Sequence, residues 1–167
     1  QRPGEIRNME WGEINWEDEL WSIPAAKMKM DRDHMVPLSR QSIEVLKDIN
    51  RITGSGIYVF PSQRGQSRPL SNNGVRTALR TMGYDNKAMS AHGFRATART
   101  ILDEVHHVRV DYIEHQLAHA VKDATGRAYN RTKFLPERKQ MMQRWADYLD
   151  ELRIHVGNNN IVPLRKV

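Results

Sequence analysis

Between Glu13 and Leu38 the apolar residues Ile14, Trp16, Leu20, Trp21, Ile23, Met28, Met30, Met35 and Val36 fall in short runs, parted by Glu17-Asp18-Glu19 and Asp31-Arg32-Asp33. Short apolar runs broken by polar clusters predict a small antiparallel sheet, most simply two successive hairpins. The period then lengthens. Ser39 has the character of an N-cap, and Ile43, Leu46, Ile49 and Ile52 recur at helical spacing until Gly54 ends the run. Tyr58-Val59-Phe60 predicts an extended piece, and the Ser-, Gln-, Gly- and Arg-rich stretch 61–69 a loop. From Ser71 onward the pattern is helical, with apolar stripes predicted over 71–82, 90–105, 109–118, 121–131 and 136–152. Residues 3–10 read as a short helical turn, and Pro136 suits the first turn of the last helix. The expected class is therefore α+β: a mainly helical domain with a small antiparallel sheet near its N-terminus.

A length of 167 residues suits one domain with a core of its own. Residues 1–153 form that domain, and residues 154–167, beginning after the helical pattern fails and running through Gly157-Asn158-Asn159-Asn160, form a tail able to dock in cis or in trans. The chain starts at Gln1 with a motif almost on its terminus, which suggests a piece of a longer protein. It has no cysteine, so thiol chemistry and disulfide frameworks are excluded. No apolar run is long enough for a membrane helix, and the lack of cysteine fits a reducing cytoplasm. The net charge of +6 favours a polyanionic partner, because phosphates reward dispersed Lys and Arg by counterion release.

The sharpest local conflict lies in the helix after Ser90. Phe94, Ala98, Ile101, Leu102 and Val105 form its apolar stripe, yet Arg95 stands on nearly the same face. A guanidinium turned inward needs an anion, either a carboxylate of the protein or a phosphate of a ligand. His92, three residues earlier, shares its side of the helix. His119 follows Gln116-Leu117-Ala118 and reads equally as a helix C-terminal cap. His115 and His119 have the spacing of a zinc pair, but Gln116 stands where the zinc-protease helix carries its glutamate. Lys27 and Lys29 alternate with Met28 and Met30, so both are expected on one face of a hairpin strand, either solvated or available as a general acid. Tyr129 is by default a half-buried helix residue; a phenol becomes a useful nucleophile only among cations.

Taken in order, Arg2-Pro3-Gly4-Glu5, Lys29 ahead of Val36-Pro37-Leu38, His92-Gly93-Phe94-Arg95, Leu117-Ala118-His119 and Tyr129 resemble the signature of the tyrosine recombinase, or phage integrase, family, most closely integrases of the prophage and satellite-phage type. The resemblance implies the catalytic fold of that family and a site-specific DNA recombinase that integrates or excises a mobile element. It implies that Arg2, Arg95, His92 and His119 hold the scissile phosphate, that Lys29 protonates the leaving 5′ oxygen, that Tyr129 attacks phosphorus, and that Glu5 supports Arg2. It further implies double-stranded DNA attachment sites, a homotetramer on DNA, and DNA-bending and excision accessory proteins. The scheme calls for no metal and no cofactor. The alternatives are type IB topoisomerase-like DNA relaxation, a non-catalytic DNA-binding module and, more remotely, a metal hydrolase.

Overall fold

The computed structural model describes residues 1–119 and 133–157. In chain order it contains α1 (Pro3–Arg7), β1 (Ile14–Asn15), β2 (Leu20–Ile23), β3 (His34–Pro37), α2 (Arg40–Thr53), β4 (Pro61–Ser62), β5 (Gly65–Pro69), α3 (Gly74–Thr81), α4 (Gly93–Glu104), α5 (Val110–Gln116) and α6 (Leu135–Gly157). The α+β class expected from the sequence is what forms.

Strands β1, β2 and β3 make an antiparallel sheet with Trp21 opposite both Ile14 and Val36, and Ile23 opposite His34. The two hairpins expected there are present. The first turn is tied by Asn15, whose side chain accepts from the Asp18 amide at 3.0 Å, and Glu19 closes it with φ 56°. The second is longer and holds a 3-10 turn at Ala25–Lys27, so Lys27 and Lys29 do not share a strand face as expected. Met28 is buried while Met30 is 45% exposed, because the chain has left the pleat before either is reached.

Helix α2 begins as its sequence predicts, with the Ser39 hydroxyl accepting from the Ser42 amide at 3.3 Å. Ile43 and Leu46 are buried, but Ile52 is exposed, since a strict three-residue repeat drifts around a helix of 3.6 residues per turn and leaves Ile52 on the face opposite Ile43. Residues 61–69 are not a plain loop. They form the hairpin β4–β5, whose polar sequence carries no apolar alternation because the hairpin is solvated. Helices α3 to α6 match the expected segments, the segment 121–131 lying outside the described residues. Pro136 stands in the first turn of α6. That helix continues through Gly157, past the point where its apolar stripe ends.

Two apolar clusters result. Met9, Ile14, Trp21, Ile23, Met28, Val36, Leu46 and Val59 pack between the sheet and α2. Leu102, Ile113, Leu117 and Met141 pack among α4, α5 and α6. Ala118 belongs to the first cluster and Leu117 to the second. The peptide joining them is thus held from both sides, and it is here that Arg2, Arg95 and His119 lie.

Candidate active site

Helix α5 ends in a turn with a specific hydrogen-bond pattern. The Ala118 amide donates to His115 O at 3.1 Å, the His119 amide donates to Glu114 O at 3.0 Å, and Ala118 lies at φ 48°. These are the two bonds and the left-handed residue of a Schellman cap, with alanine where glycine is the usual occupant. The turn leaves the carbonyls of Gln116, Leu117 and Ala118 without helical partners. Side chains from distant segments supply them. His34 Nε2 donates to Gln116 O at 3.1 Å, Arg95 Nη2 donates to Leu117 O, and Arg2 Nη2 reaches Ala118 O at 3.4 Å. The negative end of a helix is a favourable place for two guanidiniums.

Arg2 and Arg95 are therefore brought to neighbouring peptides although 93 positions separate them. Arg2 stands before the first turn of α1, where the Glu5 carboxylate accepts both its backbone amide at 2.7 Å and its Nη1 at 2.8 Å. Glu5 is buried, which makes this pair stiff. Arg95 is only 6% exposed, as its position on the apolar side of α4 foretold. Of the two anions the sequence left open, no carboxylate among the described residues pairs with it: its bond is to a carbonyl, and Nη1 is buried without a hydrogen-bond partner. Burial first, and then the positive charge of Arg2, lower its pKa from the ordinary guanidinium value, while Glu5 and Glu114 oppose the shift. Arg95 thus keeps a buried, unused donor beside a second cation whose own carboxylate, Glu5, is already engaged, an arrangement costly to the fold that a bound anion would relieve.

His119 follows directly from the cap. Its Nδ1 is hydrogen-bonded to Glu114 Oε2, and Arg99 Nε donates to Glu114 Oε1 at 2.8 Å. Burial pushes the Glu114 carboxyl up, but the bonds from His119 and Arg99 outweigh it and hold its pKa below the usual value. His92 sits at the N-cap position of α4, exposed, with its carbonyl receiving the Arg95 amide at 3.1 Å. Phe94 and Val105, expected in the apolar stripe of that helix, are 51% and 55% exposed. The two lysines of the β2–β3 connection separate sharply. Lys27 bonds Glu10, Glu13 and the Asn8 carbonyl; burial lowers its pKa, yet those bonds prevail and raise it. Lys29 is exposed. No contact among the described residues joins it to the arginine pair. Tyr129 lies outside the described residues.

The pattern reading missed Glu114, Arg99, His34 and Arg138. Buried Arg138 donates to Gln116 Oε1 at 2.9 Å and to the Met35 carbonyl, so α6 braces the same turn from behind. His115 faces inward, with its ring 6.2 Å from that of His34, while His119 turns to Glu114. A cavity of about 440 Å³ lies beside Arg95, walled by Ile6, Phe60, Leu102, Ile113, Met141 and Trp145. Its lining is mostly apolar, with Arg7, Arg95 and Arg99 among its walls.

Comparison with known proteins gives the family of the chain. The profile of the phage integrase family matches residues 1–135. The chain belongs to that family. The integrase of Enterobacteria phage P4 is 40% identical over 163 residues, covering 89% of this chain and 37% of its own. Prophage integrase IntZ of Escherichia coli K12 is 42% identical over 159 residues, covering 95% of this chain and 38% of its own, and prophage integrase IntA of the same strain is 40% identical over 146 residues, covering 87% and 35%. This integrase-family chain thus spans between a third and two fifths of the length of these relatives. No solved structure matches it.

Proposed function

We propose that this chain is the catalytic part of a site-specific recombinase that cuts and rejoins double-stranded DNA through a 3′-phosphotyrosine at Tyr129, integrating or excising a mobile element. The observation that carries the reading is the convergence of Arg2 and Arg95 on the peptides around Ala118, with Nη1 of Arg95 buried and unused. A scissile phosphate answers that need. Its non-bridging oxygens take the guanidinium donors, and His92 and His119 add further hydrogen bonds.

As its phenol proton passes to solvent water, the Tyr129 oxygen forms a bond to phosphorus while the bond to the 5′ oxygen breaks, with Lys29 giving the proton that the leaving oxygen needs. Reversal by a 5′ hydroxyl of another strand restores the phosphodiester and frees the tyrosine. Most of the acceleration in such a transfer comes from charge stabilised on the equatorial oxygens, for which planar, fixed guanidiniums are well suited. Lys29, exposed and unbonded among the described residues, keeps the mobility a general acid requires, whereas Lys27 is committed to two glutamates. Glu5 acts on Arg2 and not on the DNA.

The same reading includes attachment-site duplexes as substrate, a homotetramer on two duplexes, DNA-bending and excision proteins as helpers, docking of residues 154–167 in cis or in trans, and work in the cytoplasm of a bacterial host. Among the described residues no helix is long and apolar enough to cross a membrane. The test is covalent capture: the full-length protein, mixed with nicked duplexes copied from the ends of its element, gives an adduct resistant to detergent, and Tyr129→Phe gives none while binding DNA nearly as well. An adduct on Tyr129→Phe refutes the nucleophile. Relaxation of plasmid lacking those ends, without strand exchange, points instead to a topoisomerase.

A further inference from the structure

We infer that Glu114, clamped by Arg99, is the positioning residue of His119: it fixes which ring nitrogen carries the proton and which edge of the imidazole faces the phosphate. The inference rests on the role given to His119 above. A carboxylate held ionised can only accept, and Glu114 is so held by His119 and Arg99 against the opposing effect of burial. Its partner Nδ1 must therefore be an N–H, and Nε2 is left on the far edge of the ring, where it gives the phosphate a hydrogen bond when the ring carries its second proton.

Three features make this a device and not a surface ion pair. First, Glu114 is bound on both oxygens, by His119 on Oε2 and by Arg99 Nε at 2.8 Å on Oε1, so the carboxylate cannot rotate away. Second, the His119 amide also donates to the Glu114 carbonyl, closing a ring of backbone and side-chain bonds between the same two residues. Third, Arg99 comes from α4, one turn beyond Arg95, and is itself 3.7 Å from Asp103 on its own helix. The helix that places the phosphate-binding guanidinium therefore also sets the orientation of the histidine. The charge of Glu114 also opposes, in small part, the lowering of the Arg95 pKa by burial. A histidine 38% exposed at the end of a short helix would otherwise sample several rotamers.

The experiment is a double-mutant cycle in the full-length protein, reading single-turnover cleavage of nicked duplexes copied from the ends of its element. Glu114→Gln is expected to slow cleavage about 10- to 100-fold, by analogy with the loss of the hydrogen-bond partner of a metal-binding histidine, with DNA affinity unchanged. Added to His119→Ala, the same substitution is expected to cost little more. Arg99→Met removes the tie between α4 and α5 but leaves the Glu114–His119 bond, so it controls for folding: a purely structural carboxylate predicts equal damage from Arg99→Met and Glu114→Gln, whereas a positioning carboxylate predicts that Glu114→Gln is far worse. Nitrogen-15 NMR of the histidine rings supplies a readout independent of cleavage, with Nδ1 of His119 expected to carry a proton whether or not Nε2 does. Wild-type cleavage by Glu114→Gln beside a slow His119→Ala overturns the positioning role alone, as do full additivity in the cycle and a proton found on Nε2 instead. Wild-type cleavage by His119→Ala removes the role of the histidine itself.

Discussion

Arg95 shows how one residue can be legible in a sequence and still surprise in a structure. Its place among Phe94, Ala98 and Leu102 forecast burial, and it is buried. The same pattern could not say what it would meet there, because the acceptor, Leu117 O, is backbone and carries no side-chain signature. Glu114 was missed for the related reason that its bond to His119 depends on a cap closing the helix between them. A buried cation with an unused donor is a cost to the fold. Arg95→Met keeps much of the volume and removes the charge, so it is expected to leave thermal stability equal to or above that of the wild type while abolishing cleavage. A loss of several degrees in the melting temperature would show instead that Arg95 holds the fold together.

At the scale of elements, the cap of α5 carries the account. Its alanine at φ 48° is buried and contacts the sheet-side core, so the position needs a small side chain in a conformation that larger ones resist. Ala118→Val places a β-branched residue in the left-handed region and overfills the core; the expected destabilisation is about 2–4 kcal/mol, measurable by denaturant unfolding. An unchanged midpoint contradicts the cap as described. Behind that turn, His34 is 1% exposed, and burial, then the charge of Arg138, lower its pKa to about 3. An unfolded histidine binds its proton near pH 6.5, so between these values the unfolded chain takes up more protons than the folded one. Stability contributed by neutral His34 is thus full above about pH 6.5 and falls as the pH drops toward 3, by up to about 1.4 kcal/mol per pH unit. The pH slope of unfolding should flatten in His34→Asn by that amount; an identical slope rejects the assignment. Strand and helix order was legible because burial imposes periods of two and 3.6. The β4–β5 hairpin was not, since its solvated residues have no face to bury, and the register of Lys27 and Lys29 failed because a 3-10 turn interrupts the strand before them.

For the molecule as a whole, residues far apart in sequence come together because two cores meet at one peptide, with Leu117 in one and Ala118 in the other. The order of motifs disclosed the family before any geometry was considered; the meeting of Arg2 and Arg95 at the end of α5 supplies a physical reason for that order. The central claim is that this pair exists to neutralise a phosphate. The most direct measurement compares cleavage by wild type and by Arg95→Ala on two duplexes, one with an ordinary scissile phosphate and one with an uncharged methylphosphonate there. If the guanidinium answers the phosphate charge, Arg95→Ala loses about 10²- to 10³-fold or more on the phosphate and most of that loss disappears on the methylphosphonate. An equal loss on both substrates would contradict the account.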